Sequence, residues 1–489
     1  MKNKLFKDSF FILLANGMTF ITSMVITKII SATFSLTDYG LRSQVLTIVA
    51  VFTSFFSLGL SNASNYFIPL TDNSDGTAWT RVLRNIYMIA APVCILVSLI
   101  VIVFGKEVAS YFENPDLVEY KYLIAVLACE HIIYTLYAGS QIAQHKALRS
   151  TLTNLARSLA TVAVVALLCY LKRSIHEIII GTACVDAVFC AYTVADATKL
   201  YQRIGEWISL PQIKKILKYC VPLGVSTITG TLCAQIDKLF ISKLLTLDDL
   251  AVYTNMCTEL PLAAISGAFI AVITPYVVKM IGRNEPEKAV ELWGSFIELV
   301  AIILFPIITA LFVFSRQAIV LLYSEEYIVG YHLFRLFALL EISRITYYGM
   351  ILRSYGKSML ILMCSALTLV VNVILNVLFY FVFNMGMYGF ALATLLSTFS
   401  ILIFQLIVSS RLTGIKFSHI FPWEKLGICA AINIAFGLAA ALVAKWIGFY
   451  DKNSILPVIA TGIVWAAAYL AIEFKRAKRI YSATKNIDL

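Results

Sequence analysis

The chain has 489 residues, 60% of them hydrophobic and only 14% charged, with a mean hydropathy of +0.84. Soluble domains carry about 25% charged residues, so water is excluded as the main solvent. The formal net charge of +11 raises nucleic acid as a partner, but most Lys and Arg fall in short loops on one side of the deduced topology. That is the positive-inside pattern of a membrane protein, and it argues against nucleic acid.

Apolar windows of about 20 residues, each long enough to cross a bilayer, recur along the chain. They predict an all-α polytopic membrane protein, since a transmembrane barrel would show alternating segments of about ten residues. About fourteen spans are expected, near 9–32, 41–68, 83–105, 121–143, 152–171, 175–198, 216–242, 250–277, 292–314, 329–352, 358–383, 387–410, 424–447 and 454–474. The first is a transmembrane helix rather than a cleaved leader: it is long, polar at Asn16, Thr19, Ser23 and Lys28, and has no small-residue cleavage pattern. Lys2, Lys4 and Lys7 at one end and Lys475, Arg476, Lys478 and Arg479 at the other place both termini in the cytoplasm. Loops on the opposite side hold an acidic surplus, including Glu107, Glu113, Asp116, Asp248 and Asp249, although Lys172, Arg173, Lys445 and Lys452 depart from the pattern.

A basic connection over 199–218 divides the chain after six spans, and a second divide near 414–423 follows six more. The expected organisation is an N-terminal six-helix lobe (1–205), a second six-helix lobe (206–415), and two further helices with a basic tail (416–489). The stretch SATFSLTDYG at 31–40 aligns without a gap to SKLLTLDDLA at 242–251. Both lobes start on the cytoplasmic side, so the repeat is parallel.

Polar residues at helical spacing form stripes. Span one carries Asn16, Thr19, Ser23, Thr27 and Ser31, with Lys28 beside them. Span two carries Ser43, Thr47, Ser54, Ser57, Ser61 and Asn65, and span seven carries Ser226, Thr229, Cys233 and Asp237 beside Thr227, Thr231, Gln235 and Lys238. Span eight aligns Asn255, Glu259 and Ser266. Such groups serve either as glue between helices or as the wall of a water-filled cavity, and four striped helices opening two repeats favour the cavity. Candidate cavity residues are Asn16, Ser23, Lys28, Arg42, Ser54, Asn65, Lys238, Arg335 and Arg344; Lys28 and Arg42 also suit a purely interfacial place. Intramembrane carboxylates are expensive and by default functional, which makes Asp237 and Glu259 the candidates for ion coupling. Glu341 and Arg344, three apart, suit a structural ion pair as well as a functional one. Glu130, His131, Asp186 and Asp196 are further ionisable groups, and no metal-ligand spacing accompanies His131. The ten Cys are scattered without C-x-x-C spacing.

No Walker A, no G-x-G-x-x-G, no H-E-x-x-H and no loop large enough for a catalytic domain is present. The expectation is a transporter rather than an enzyme, with no cofactor and no metal. Uphill work would draw on H+ or Na+ exchange or on the membrane potential.

The turn LTDYG at 36–40, the run GLS at 59–61, PL at 222–223, DKLFI at 237–241, Tyr253, TP at 274–275, LYSEEY at 322–327, Asn372 with Asn376, and GMYGFA at 386–391 together resemble the polysaccharide branch of the multidrug/oligosaccharidyl-lipid/polysaccharide flippase superfamily. The resemblance spans nearly the whole chain. It implies movement of an undecaprenyl-pyrophosphate-linked oligosaccharide, for O-antigen, capsule or a related polymer, from the cytoplasmic to the outer leaflet of the bacterial inner membrane. It also implies a V-shaped pair of lobes working by alternating access, with membrane lipids, and with a polymerase and glycosyltransferases of the same pathway, as partners. Two extra C-terminal helices also occur in the lipid II flippase branch. That alternative ranks second, because span one lacks that branch's Arg-rich signature and Glu259 stands where a basic residue is expected. A multidrug cation antiporter is the rival, and a non-transporting scaffold a third reading.

Overall fold

The structure, a computed structural model, describes residues 2–68, 78–144, 146–201, 209–258, 260 and 262–446, with scattered positions between 461 and 473. Its elements in order are α1 (Lys2–Thr33), α2 (Leu36–Phe56), α3 (Leu60–Phe67), α4 (Ala78–Val103), α5 (Gly105–Tyr111), α6 (Lys121–Ala143), α7 (Ala147–Tyr170), α8 (Ile175–Tyr201), α9 (Leu210–Leu244) and α10 (Leu247–Met256). There follow α11 (Leu262–Gly282), α12 (Pro286–Val313), α13 (Ser315–Leu322), α14 (Tyr331–Leu340), α15 (Met350–Ser354), α16 (Ser358–Val377), α17 (Gly386–Thr413), α18 (Phe417–Ile420) and α19 (Trp423–Trp446). Short 3₁₀ turns lie at Pro115–Val118, Glu325–Gly330 and Glu341–Arg344, and a π turn follows α16 at Leu378–Val382.

The protein is an all-helical, polytopic membrane protein. Among the described residues ten helices are long and apolar enough to cross a bilayer. They account for expected spans two to seven, nine and eleven to thirteen. The side chains of the first fourteen residues and most of span fourteen lie outside the described residues.

Three expected spans are broken helices. Span two ends at Phe56 and restarts at Leu60, the chain turning through Leu58 (φ 48°) and Gly59 (φ 64°). Span eight stops at Met256 and resumes at Leu262, which fits Pro261, since the residue before a proline is pushed out of the α region. Span ten breaks between α14 and α15 across a 3₁₀ turn. There the β-branched Ile345 and Thr346 propagate a helix weakly, and Thr346 is drawn aside by a 2.8 Å hydrogen bond from the Trp293 indole.

Contacts divide the chain into two compact units, Met1–Ala251 and Val252–Leu489. In the first, α1 packs on α7, α4 on α6, and α2 on both α6 and α9. α9 buries Ile216, Cys220 and Gly224 along one edge and Asp237 and Ile241 further on. This is the four-residue spacing of a packed helix seam. In the second unit α12 packs against α11 and α19, and α16 against α17. Its core is built on Trp293, Ile297, Val300, Ala301 and Leu304 of α12, with Phe421 and Tyr469 added from beyond α17.

The repeat seen in the sequence has a physical counterpart. At the start of α2 the Ser35 hydroxyl accepts the Asp38 amide at 3.2 Å and donates to the Asp38 carboxylate at 2.7 Å. At the start of α10 the Thr246 hydroxyl accepts the Asp249 amide at 3.1 Å and donates to its carboxylate at 2.7 Å. In both turns a hydroxyl caps the amide three residues on, and at Thr246 the Asp249 carboxylate also accepts the Thr246 amide at 3.2 Å, completing a capping box.

Candidate functional site

Capping fixes where α2 and α10 begin, and the two repeat turns then meet. Thr37 donates a 2.6 Å hydrogen bond to Asp248, its own counterpart 211 residues on. Gly40 lies against the carbonyl of Leu247, so close that a Cβ there would stand 2.0 Å from the oxygen. One turn further, Gln44 donates to Ser242 of α9 at 2.5 Å and accepts from Asn114 at 2.7 Å. Lys243 reaches Glu113 at 2.7 Å, and this ammonium holds the Glu113 carboxyl below its ordinary pKa. Thus α2, the 112–118 loop and the end of α9 are joined by polar ties. Gln44, Asn114 and Ser242 were not singled out in the sequence. The signal was there, since Gln44 sits beside the stripe of Ser43 and Thr47.

Asp237 lies five residues before Ser242 and is 7% exposed, while Lys238 is half-buried. Adjacent residues on a helix are about 100° apart, so the two present to different surroundings. Arg42 is half-buried, its guanidinium 5.9 Å from the Tyr39 ring. Neither Arg42 nor Lys238 makes an ion pair or hydrogen bond among the described residues. Ser54 is buried and bonds back to the Val51 carbonyl at 2.8 Å, the behaviour of a packing hydroxyl. Asn16, Ser23 and Asn65 are exposed and Lys28 is half-buried. Glu259 lies outside the described residues.

Two of the other ionisable groups of this unit prove to be paired. Asp186 of α8 binds Arg157 of α7 at 2.8 Å, and Arg157 also rests 4.7 Å over the Tyr134 ring. Asp196 accepts from Arg149 at 2.9 Å and from Tyr137 at 3.4 Å. Glu130 is buried on α6.

In the second unit Arg335 donates through Nε to the Phe312 carbonyl and the Ser315 hydroxyl, both at 3.0 Å, with its guanidinium over the Phe312 and Tyr331 rings. Arg344 pairs with buried Glu341 at 3.4 Å, as the spacing allowed, but on a 3₁₀ turn rather than a helix. Asn372 donates to Thr394 at 2.9 Å and accepts from Asn376 at 3.0 Å, linking α16 to α17. Lys425 of α19 reaches the buried Glu298 of α12 at 3.0 Å.

The fold is shared with solved transporters. The lipid II flippase MurJ in an inward closed conformation aligns with a TM-score of 0.69 at 15% identity, over 96% of this chain and 99% of that one. An inward-facing multidrug resistance MATE family transporter of the MOP superfamily gives 0.62 at 12% identity, over 81% and 94%. A MOP superfamily transporter from Pyrococcus furiosus, described as having a binding pocket of reversed polarity, gives 0.52 at 12%, over 83% and 94%. No curated protein matches the chain in sequence. The polysaccharide biosynthesis protein family matches residues 25–330, more than half of the chain. The chain belongs to this polysaccharide biosynthesis family.

Proposed function

We propose that the protein flips an undecaprenyl-pyrophosphate-linked oligosaccharide from the cytoplasmic to the outer leaflet of the bacterial inner membrane by alternating access. The observation that carries the proposal is the pair of cations Arg42 and Lys238, set in spans of the first unit without a carboxylate partner among the described residues. A cation held at bilayer depth is costly unless it meets an anion, and a pyrophosphate supplies one. Striped hydroxyls and amides replace the hydration of sugar hydroxyls, each of which would otherwise cost roughly 2–7 kcal/mol to bury unpaired. An inside-negative potential favours outward movement of an anion by roughly 2.3 kcal/mol per charge per 100 mV. Asp237, buried on α9, is the group proposed to exchange a proton or sodium ion.

Lipid II, the cargo in MurJ's name, is the second reading, favoured by the near end-to-end alignment with that fold. The unpaired cations oppose the cation-antiporter reading. A deletion strain tests the proposal: it should accumulate lipid-linked oligosaccharide that an impermeant sugar-modifying reagent cannot reach. The wild-type gene should restore outer labelling, while the R42Q/K238Q double variant at equal expression should not. Unchanged outer labelling in the deletion strain would overturn the proposal, and accumulation of the peptidoglycan precursor alone would move it to lipid II.

A further inference from the structure

Where α7 begins and α8 nears its end, their outer faces frame a groove of about 740 Å³. Its walls are apolar: Leu148, Leu152 and Ala156 from α7, Val188 and Phe189 from α8. Lys146, Arg149 and Tyr192 form a polar mouth at one end, and the one polar side chain that the wall adds, Thr153, spends its hydroxyl on the Arg149 carbonyl at 2.9 Å.

The mouth is rich in unspent donors. Arg149 gives two hydrogen bonds through Nη2, to the Tyr192 hydroxyl at 3.2 Å and to Asp196 at 2.9 Å, leaving Nε and Nη1 without partners among the described residues. Lys146 gives one bond, to Gln144 at 3.2 Å, and keeps two N–H groups. Tyr192 accepts from Arg149, so its own O–H is a donor still to be used. Asp196, the one carboxylate paired with Arg149 among the described residues, is taken up by Arg149 and Tyr137. Among the described residues, one carboxylate against two cations leaves a net charge of +1. The 24-residue α7 begins at this end, adding the positive end of a helix dipole.

An apolar trough between two transmembrane helices, closed at one end by cations and donors, matches a lipid with an anionic headgroup. We infer that this groove is a binding site for an anionic glycerophospholipid of the leaflet on the Lys146 side, with its phosphate at Lys146, Arg149 and Tyr192 and an acyl chain along Leu152, Ala156 and Val188. A phosphate ester accepts from all three donors at once and cancels the residual charge. A zwitterionic lipid brings a second cation to a mouth that already has one in excess.

The site is separate from Asp237 and from the cations proposed to meet the cargo, so its test does not depend on flipping. The full-length protein, purified from phosphatidylethanolamine and phosphatidylglycerol in equal amounts, is examined by native mass spectrometry. Wild type is expected to retain phosphatidylglycerol in preference. Each cation removed should weaken that retention about fivefold, in K146Q and further in K146Q/R149Q. A156W keeps both cations but fills the trough, and should lose the retained lipid as well. K106Q, an exposed cation on α5, should behave as wild type. Because K146Q leaves the Arg149–Asp196 pair intact, it reports on charge even if R149Q disturbs the fold. Equal retention of the two lipids by wild type, or undiminished phosphatidylglycerol in both K146Q and A156W, would overturn the assignment. Preferential retention of a polyprenyl phosphate when it is added as competitor would also overturn it.

Discussion

Gly40 is where the meeting of the two repeat turns is most sensitive to a single atom. A Cβ on residue 40 would lie 2.0 Å from the Leu247 oxygen and 2.6 Å from its carbon, and both are backbone atoms with no rotamer to yield. Packed interiors do not tolerate such overlap, so in G40A the first turns of α2 and α10 must part by about 1 Å to reach the shortest carbon–oxygen contacts of well-packed proteins. The Thr37–Asp248 hydrogen bond, 2.6 Å here, would stretch to about 3.6 Å, beyond hydrogen-bonding range. Overpacking of this kind costs about 1–3 kcal/mol, which shifts a two-state equilibrium by roughly 5- to 150-fold. The assay is oxidative cross-linking of a T37C/D248C pair in native membranes, with and without G40A. Fast disulfide formation is expected with Gly40 and at least a fivefold slower reaction with alanine. Equal cross-linking rates in the two backgrounds would refute the reasoning.

Removing either cap, by S35A or T246A, should destabilise the first turn of α2 or α10 by about 1 kcal/mol, read as faster hydrogen exchange at the Asp38 or Asp249 amide. W293F deletes the donor to Thr346 in the core of the second unit and leaves a buried hydroxyl short of a partner, an expected loss of about 1–3 kcal/mol in denaturant titration; W293F/T346V should recover part of it. The Glu113–Lys243 tie depends on pH in one direction. The folded carboxyl is held below its unfolded value by Lys243, so the tie contributes fully above the unfolded pKa and is lost as pH falls through the lower folded one. Proteolysis of the 112–118 loop should therefore rise at acidic pH in wild type, and E113Q should show no such step.

Membrane class, helix order and the repeat were legible because bilayer length acts on long stretches of sequence. The Ser35–Asp38 and Thr246–Asp249 caps were legible as a local repeat because capping needs only a hydroxyl three residues before the amide it accepts. The breaks in spans two and ten were not legible. Leu58 and Ile345 are ordinary membrane residues, and what turns the chain there is tertiary: Gly59 meeting the Gly224 backbone, and Trp293 bonding Thr346. The break in span eight carried its own mark in Pro261. Among the candidate site residues, helical spacing identified which were polar but not which were already spent. Ser54 satisfies itself within its helix and Arg335 gives its Nε to the end of α12, whereas Arg42 and Lys238 are left unpaired among the described residues. Arg157 escaped notice beside Asp186 because 29 residues and a turn separate them in sequence.

The central claim is that the cargo is an anionic lipid-linked oligosaccharide. Its most direct test is purified protein in proteoliposomes, offered either an undecaprenyl-pyrophosphate oligosaccharide or an organic cation under a controlled membrane potential. Protein-dependent transfer of the lipid-linked sugar is expected, faster toward the positive side and slowed in R42Q/K238Q. Transport of the organic cation with no transfer of the lipid-linked sugar would contradict the account.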